Sequence, residues 1–241
     1  MAWFDEFKRQ FDLNFIQRNR WRFITTGLGN TLLITLLSLL LGLVIGVIIA
    51  GVRSTYDKTA DTARPSFGRK ALGFFNGLCK VYLTVLRGTP VVVQLMIICL
   101  VIFAWSDNGV ALASLAFGLN SGAYVAEIIR SGIGAVDRGQ MEAGRSLGMS
   151  SIQTMRKIIL PQAIRNILPA IGNELIALVK ETSVAGYVGV MDLTKMGERA
   201  KSITFDAVNP LLVVALTYLL IVVGLTHLLG RVERRMNHDK R

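Results

Sequence analysis

The chain has 241 residues, of which 52% are hydrophobic and only 18% charged, and its formal net charge is +11. Its mean hydropathy of +0.49 suits a chain dissolved in lipid better than one soluble domain of this length. A soluble enzyme and a nucleic-acid-binding module are excluded as first readings: the pI near 10.1 reflects basic residues placed between apolar runs, where they set membrane topology.

The first residues, Met1 to Glu6, carry no basic n-region, and no small-residue cleavage site follows a short apolar run. The first apolar segment is therefore expected to stay as a membrane anchor. Between Arg22 and Arg53 stand 30 consecutive uncharged residues, whereas a bilayer core needs about 20. Reading such runs along the chain gives about five spans. They cover Gly27 to Val52; Gly88 to Ser106, with an amphipathic stretch from Ala71 to Arg87 as an optional extension; Asn108 to Ile129; Ala163 to Met191; and Ala207 to Gly230. The fourth is interrupted by Glu174, Lys180 and Glu181. All lipid-exposed segments should be helical, because an open structure of any other kind leaves backbone groups unsatisfied in hydrocarbon.

Five spans place the termini on opposite sides. One side then holds 17 Lys and Arg residues and the other 8, so the positive-inside rule puts the N-terminus outside and the C-terminus in the cytoplasm. The organisation read from this is an N-terminal extracytoplasmic or interfacial segment (1–26), a transmembrane domain (27–230) and a basic cytoplasmic tail (231–241). Ser54 to Lys70, with Pro65 and Gly68, reads as a loop. Gly42 with Gly46 and Gly118 with Gly122, each four residues apart, would let helix backbones approach closely. Cys79 and Cys99 are isolated and read as small apolar fillers.

The cytoplasmic stretch 137–162 is the most informative. Asp137 to Leu147 has helix formers, and Gly148 can take the left-handed conformation that ends a helix. Ser150 followed by Gln153 is a capping-box pattern that opens a second helix, Ser151 to Leu160, and Pro161 stops it or opens the next. Two short helices thus meet at a glycine elbow. Ala143 and Gly144 should leave one face nearly bare, with Leu147 and Met149 beside it, a shape suited to insertion into a cleft on another protein.

These residues resemble a known family. Glu142-Ala143, Gly148 six residues after Glu142, and Ile159-Leu160-Pro161 match the EAA motif of permease subunits of bacterial ABC importers. Arg87-Gly88-Thr89-Pro90 with Gln94, Gly122-Ala123-Tyr124 with Glu127 and Arg130, Gly139-Gln140, Pro161-Gln162-Ala163, and Lys180-Glu181-Thr182-Ser183 match its polar amino-acid branch. The resemblance covers about Gly27 to Gly230. Gly144 stands where the motif usually has a second Ala, which should loosen the first short helix by up to ~1 kcal/mol.

The resemblance implies an all-α integral membrane protein of the type I importer fold in the bacterial cytoplasmic membrane. Two permease subunits, a second copy or a close homologue, would enclose the path. An extracytoplasmic binding protein would deliver the amino acid, and a cytoplasmic ABC ATPase would receive the elbow, with Glu142, Ala143, Gly144, Leu147, Gly148 and Met149 as coupling residues. The chain has no G-x-x-x-x-G-K-[ST] phosphate loop, so ATP is expected to be used by the partner, with no cofactor, metal or catalytic residue on this chain. Gln94, Glu127, Glu174, Lys180, Glu181, Thr182 and Ser183 are candidates for the substrate path, because intramembrane charges normally face protein or a wet cavity. Glu127 could instead pair with Arg130 one turn away. The alternative is an ion-coupled secondary transporter or channel using Glu174, Lys180 and Glu181, against which stand the short chain and the lack of visible duplication.

Overall fold

The computed structural model describes residues 2–59 and 67–238. Ten α-helices occur among them: α1 (Ala2–Phe11), α2 (Trp21–Thr59), α3 (Phe67–Gly88), α4 (Val91–Met96), α5 (Gly109–Gly134), α6 (Arg138–Ser146), α7 (Ser151–Thr154), α8 (Leu160–Glu181), α9 (Leu193–Thr204) and α10 (Val208–His238). Wider π-helical turns extend α4 over Ile97–Ile102 and join α7 to α8 over Met155–Ile159, and a 3₁₀ turn follows α8 over Thr182–Val188.

Three of these helices are long and apolar enough to cross a bilayer alone: α2, α5 and α10. α3 and the α4 segment reach that standard only as a pair, Phe67–Gly88 with Val91–Ile102, making at most four. The break at Gly88–Pro90 falls at the start of the second expected span and separates it from its optional extension, since Pro90 lacks an N–H and holds extended backbone. The amphipathic stretch before it is a helix of its own. Ala163 to Met191 is not one uninterrupted apolar span either; α8 begins at Leu160, carries Arg165, Glu174, Lys180 and Glu181, and gives way to the 3₁₀ turn. Ser54–Thr59 continues α2 rather than forming a loop, and the start of the tail, from Arg231 to His238, continues α10. The rest of the expected loop up to Ser66, with Pro65, and the last three residues lie outside the described residues.

The faces of α2 show what a membrane demands. Gly27, Thr31, Thr35, Ser38, Gly42, Gly46 and Ala50 recur at helical spacing and are buried, while Leu32, Leu36, Leu40, Val44, Val47 and Ile48 are exposed. Lipid accepts the large aliphatic side chains, and the small ones let a neighbouring backbone come close. α5 is the most enclosed of the three single spans, with 67% of its apolar window buried, against 33% in α2 and 6% in α10. α10 therefore presents most of its surface outward, as Leu212, Leu216 and Leu220 show.

By contacts the chain forms two compact units. The first comprises 1–38, 90–118 and 176–228, and the second 39–89, 119–175 and 229–241. In the first, Ile34, Leu95, Phe117, Leu178 and Leu193 are fully buried. α2 is tied there to the start of α9: Leu193 N–H donates to Thr31 Oγ1 at 3.1 Å, Asn30 Nδ2 donates to the Met191 carbonyl at 2.8 Å, and a Cβ on Gly27 would meet Asp192 O at 2.8 Å. Asp192 caps α9 by accepting from Thr194 and Lys195 N–H. Asn14 reaches Asp206 at 2.7 Å and accepts from Thr204, which fixes the segment after α1 against α9.

In the second unit Ile49, Leu83, Ala123 and Ala126 form a small core, with Ile45, Cys79, Tyr82 and Leu86 packed on it. A Cβ on Gly42 would stand 3.0 Å from Ser121, one on Gly46 2.5 Å from Val125 Cγ1, and one on Gly122 2.8 Å from Ile45. Tyr82 hydroxyl donates to the Leu119 carbonyl and Asn120 Nδ2 to the Leu86 carbonyl, which joins α3 to α5. Gly46→Ala should cost about 1–3 kcal/mol, because Val125 is stiff at χ1 and cannot withdraw. Gly51→Ala, with open space around it, should instead gain a little helix propensity. Thermal unfolding midpoints in detergent should fall for the first variant and hold or rise for the second.

Candidate functional site

The elbow lies wholly in the second unit. Asp137 caps α6, accepting from Gly139 N–H at 2.6 Å. α6 ends in a Schellman turn: Met149 N–H donates to the Gly144 carbonyl at 3.1 Å and Gly148 N–H to the Arg145 carbonyl at 3.0 Å. Gly148 takes φ +80°, the left-handed region where a side chain is disfavoured. Two residues later Ser150 closes a reciprocal capping box, receiving Gln153 N–H at 3.2 Å while its own N–H donates to Gln153 Oε1 at 2.8 Å. Arg145 Nη1 then donates to Ser151 Oγ at 2.8 Å, crossing the bend. The second helix does not stop at Pro161; it runs through the π-helical turn into α8, so Pro161 lies inside a continuous helix, to which it gives no N–H donor.

Gly144 does not belong to a bare outer face with Ala143. It is buried, and a Cβ there would stand 2.5 Å from Thr154 Cγ2 and 2.8 Å from its Oγ1. Thr154 is itself fully buried. The glycine that costs helix propensity therefore admits Thr154 between the two arms. Ala143 and Glu142 are exposed, Met149 is half-buried, and Leu147 and Ile152 are 81% and 80% exposed. Full burial of such a side chain is worth about 1.5–3 kcal/mol, so the tip holds apolar surface that a partner could cover. Glu142 makes no hydrogen bond or ion pair with a described residue, and Asp137, not Glu142, serves the N-terminus of α6.

The polar residues assigned to the path separate. Glu174 is half-buried and accepts from Ser121 Oγ at 2.7 Å in the second unit. In the first, Gln94 is buried on α4, which packs against Thr182–Val188. Thr182 is fully buried with its hydroxyl donating to the Val179 carbonyl at 2.8 Å, Glu181 is half-buried and Lys180 is exposed. Ser183 lines a cavity of about 310 Å³ together with Gly186, Tyr187, Thr194, Lys195 and Glu198. The Lys195–Glu198 pair there, Nζ to Oε2 at 3.0 Å, was not singled out in sequence because it lies beyond the apolar stretch.

Glu127 does approach Arg130, at 3.6 Å, but its hydrogen bond is to Arg53 Nη1 at 2.8 Å, with Arg87 3.9 Å away. In sequence Arg53 stands between the first expected span, ending at Val52, and the expected loop from Ser54. Because α2 continues past it, Arg53 is a helical residue facing α5.

The chain matches the family described as binding-protein-dependent transport system inner membrane component over residues 66–238. It is 38% identical over 183 residues to the arginine transport system permease protein ArtQ of Bacillus subtilis, covering 70% of this chain and 84% of that one. It is 39% identical over 165 residues to the glutamine transport system permease protein GlnP of Escherichia coli, covering 67% and 75%. A chain in the crystal structure of an amino acid ABC transporter with histidines superposes with a TM-score of 0.78 at 38% identity, covering 89% of this chain and 94% of that one. The MetNI methionine ABC transporter, at 20% identity and a TM-score of 0.73, shares the fold. An all-helical membrane chain of the ABC-permease fold is thereby defined. It belongs to the family of inner-membrane components of binding-protein-dependent transport systems.

Gly144→Ala, which restores the usual residue of the motif, should destabilise this elbow by about 1–3 kcal/mol, since overpacking outweighs the propensity gain. Adding Thr154→Ala should recover more than half of that loss. A double-mutant cycle on thermal unfolding in detergent measures the coupling.

Proposed function

We propose that this chain is the permease subunit of an ATP-driven importer that passes an amino acid from an extracytoplasmic binding protein across the cytoplasmic membrane. It works with a second permease, a further copy or a close homologue. ATP is hydrolysed on a separate cytoplasmic ATPase, consistent with the missing phosphate loop. The observation that carries the reading is the elbow. Two capped helices are locked by Gly148, Thr154 and the Arg145–Ser151 bond, and they display Leu147, Ile152, Ala143 and an unengaged Glu142. A rigid lever with apolar bulk transmits a partner's movement better than a flexible loop would. The arginine and glutamine permeases and the amino acid transporter among its relatives support the substrate class.

The path carries groups suited to a zwitterion. The cavity bearing Ser183 offers hydroxyls and the Lys195–Glu198 pair, one charge of each sign. Thr182 is buried next to Ser183, and Gln94 is buried on α4, which packs against Thr182–Val188, while Glu174 and Glu127 hold helices through Ser121 and Arg53. The N-terminus lies outside and the C-terminus inside, which puts the elbow beside the ATPase.

Gly148→Val places a β-branched side chain at φ +80° and should break the Schellman turn. The variant should insert normally, lose copurifying ATPase by more than about tenfold (about 1.4 kcal/mol) and lose ATP-driven uptake in vesicles containing the binding protein. Normal ATPase recovery and uptake would overturn the coupling role. Orientation is checked by cysteine labelling in a background lacking Cys79 and Cys99. With an impermeant reagent, Lys201→Cys should label from outside and Gln140→Cys only after permeabilisation; the reverse pattern would turn the elbow away from ATP.

A further inference from the structure

In the second unit, α2, α3 and α5 bring Arg53, Lys80, Arg87 and Arg130 around Glu127, and of these Arg130 also lies 3.9 Å from a second carboxylate, Asp57. Arg53, Lys80, Arg87 and Glu127 line a cavity of about 450 Å³, and Arg130 stands 3.6 Å from Glu127. That volume lies in the usual range for small-molecule sites, about 300–1,000 Å³. The carboxylate does not satisfy these cations. Its hydrogen bond goes to Arg53, whose Nε is buried without a partner among the described residues. Arg87, 3.9 Å from Glu127, rests its guanidinium 5.6 Å from the Tyr124 ring centroid and donates no hydrogen bond to a described residue. Lys80 pairs with no described carboxylate. Several strong donors therefore converge on one cavity with a net positive lining.

The surface beside the cavity narrows the choice of anion. Along α3, Lys80, Thr84 and Arg87 form one exposed stripe at i, i+4 and i+7. Next to it Phe74, Leu78, Val81 and Val85 form a second exposed stripe, and this one is apolar. A soluble phosphate or carboxylate would use the cations and leave the apolar stripe unused. A phospholipid uses both, with its phosphate oxygens on Arg53, Lys80 and Arg87 and an acyl chain along the aliphatic face. Basic pockets between helices at a membrane border are suited to such head groups. The cavity is on the elbow's side of the membrane: Asp57 and Arg130 line a neighbouring pocket together with Asp137, Arg138 and Met141 of the elbow segment.

We infer that this cavity holds the phosphate of an anionic phospholipid from the leaflet on the elbow's side. The inference rests on the chain's spanning a membrane and not on its substrate or its ATPase, so the test reads lipid and leaves transport aside.

The full-length chain, purified in detergent, is titrated with phosphatidylglycerol and with phosphatidylcholine, and bound lipid is counted by native mass spectrometry. Phosphatidylglycerol should bind about tenfold more tightly or better, as two or more cations at about 1 kcal/mol each would give. Lys80→Gln and Arg87→Gln should each weaken it about fivefold and leave phosphatidylcholine unchanged, while Lys201→Gln on α9 should alter neither. Lys80 has no hydrogen-bond or ion-pair partner among the described residues, so Lys80→Gln keeps the test valid if the loss of Arg87 from Tyr124 disturbs folding. Equal affinity for both lipids, or indifference to Lys80→Gln, would overturn the proposal. Displacement of phosphatidylglycerol by millimolar inorganic phosphate would also overturn it, by showing a site for a soluble anion.

Discussion

The close approach of α2 to α5 in the second unit rests on the absence of side chains at Gly42, Gly46 and Gly122. In hydrocarbon no hydrophobic force draws two helices together, because lipid tails solvate leucine as well as another helix does. Contact has to come from van der Waals fit and from hydrogen bonds that water does not contest. A Cβ at Gly46 or Gly122 would stand closer to Val125 or Ile45 than real contacts allow, so the helix separation depends on these positions. With that separation set, Tyr82 and Asn120 reach carbonyls across the α3–α5 seam and Arg53 reaches Glu127.

The elbow uses the same device in a different solvent. Gly144 admits Thr154 between the two short helices, and the Schellman turn and capping box pair the backbone groups that two helix ends would otherwise leave open. Each cap contributes about 1 kcal/mol. Their joint effect is rigidity, since one glycine conformation, one buried threonine and one arginine–serine bond together leave the bend a single arrangement. Rigidity explains why so much apolar surface can stay exposed at the tip without folding back on itself.

Charges within the molecule serve three separate ends. Glu174 is taken up by a serine on the neighbouring helix, and Lys195 with Glu198 faces a cavity. Around Glu127 the cations outnumber the carboxylate, and their surplus stands at the border of an apolar helix face. Sequence distance separates these groups poorly: Glu127 is three residues from Arg130 yet bonds to Arg53, 74 positions away.

The sequence by itself determined the class of the chain, the helical state of its apolar runs and the local form of the elbow. Those features are local or compositional: a run of uncharged residues, a glycine at a helix end and a Ser-x-x-Gln cap act within a few residues of themselves. Gly42 and Gly46 marked one stretch of the buried face of α2 in sequence, but its continuation through Thr31, Thr35 and Ser38 was not legible, because Leu, Gly and Thr are all uncharged and lipid removes the polar contrast on which periodicity depends. The distinction there is side-chain size, and only the neighbouring helix gives size a meaning. The same reason hid the role of Gly144, whose cost to the helix is local while its benefit depends on Thr154 ten residues on. The break at Gly88–Pro90 falls where the second expected span begins, and the sequence left open whether the amphipathic stretch before it joins that span. The partners of Glu127 and Glu174, and the cavity beside Ser183, required tertiary structure, because helix packing alone decides which charges meet.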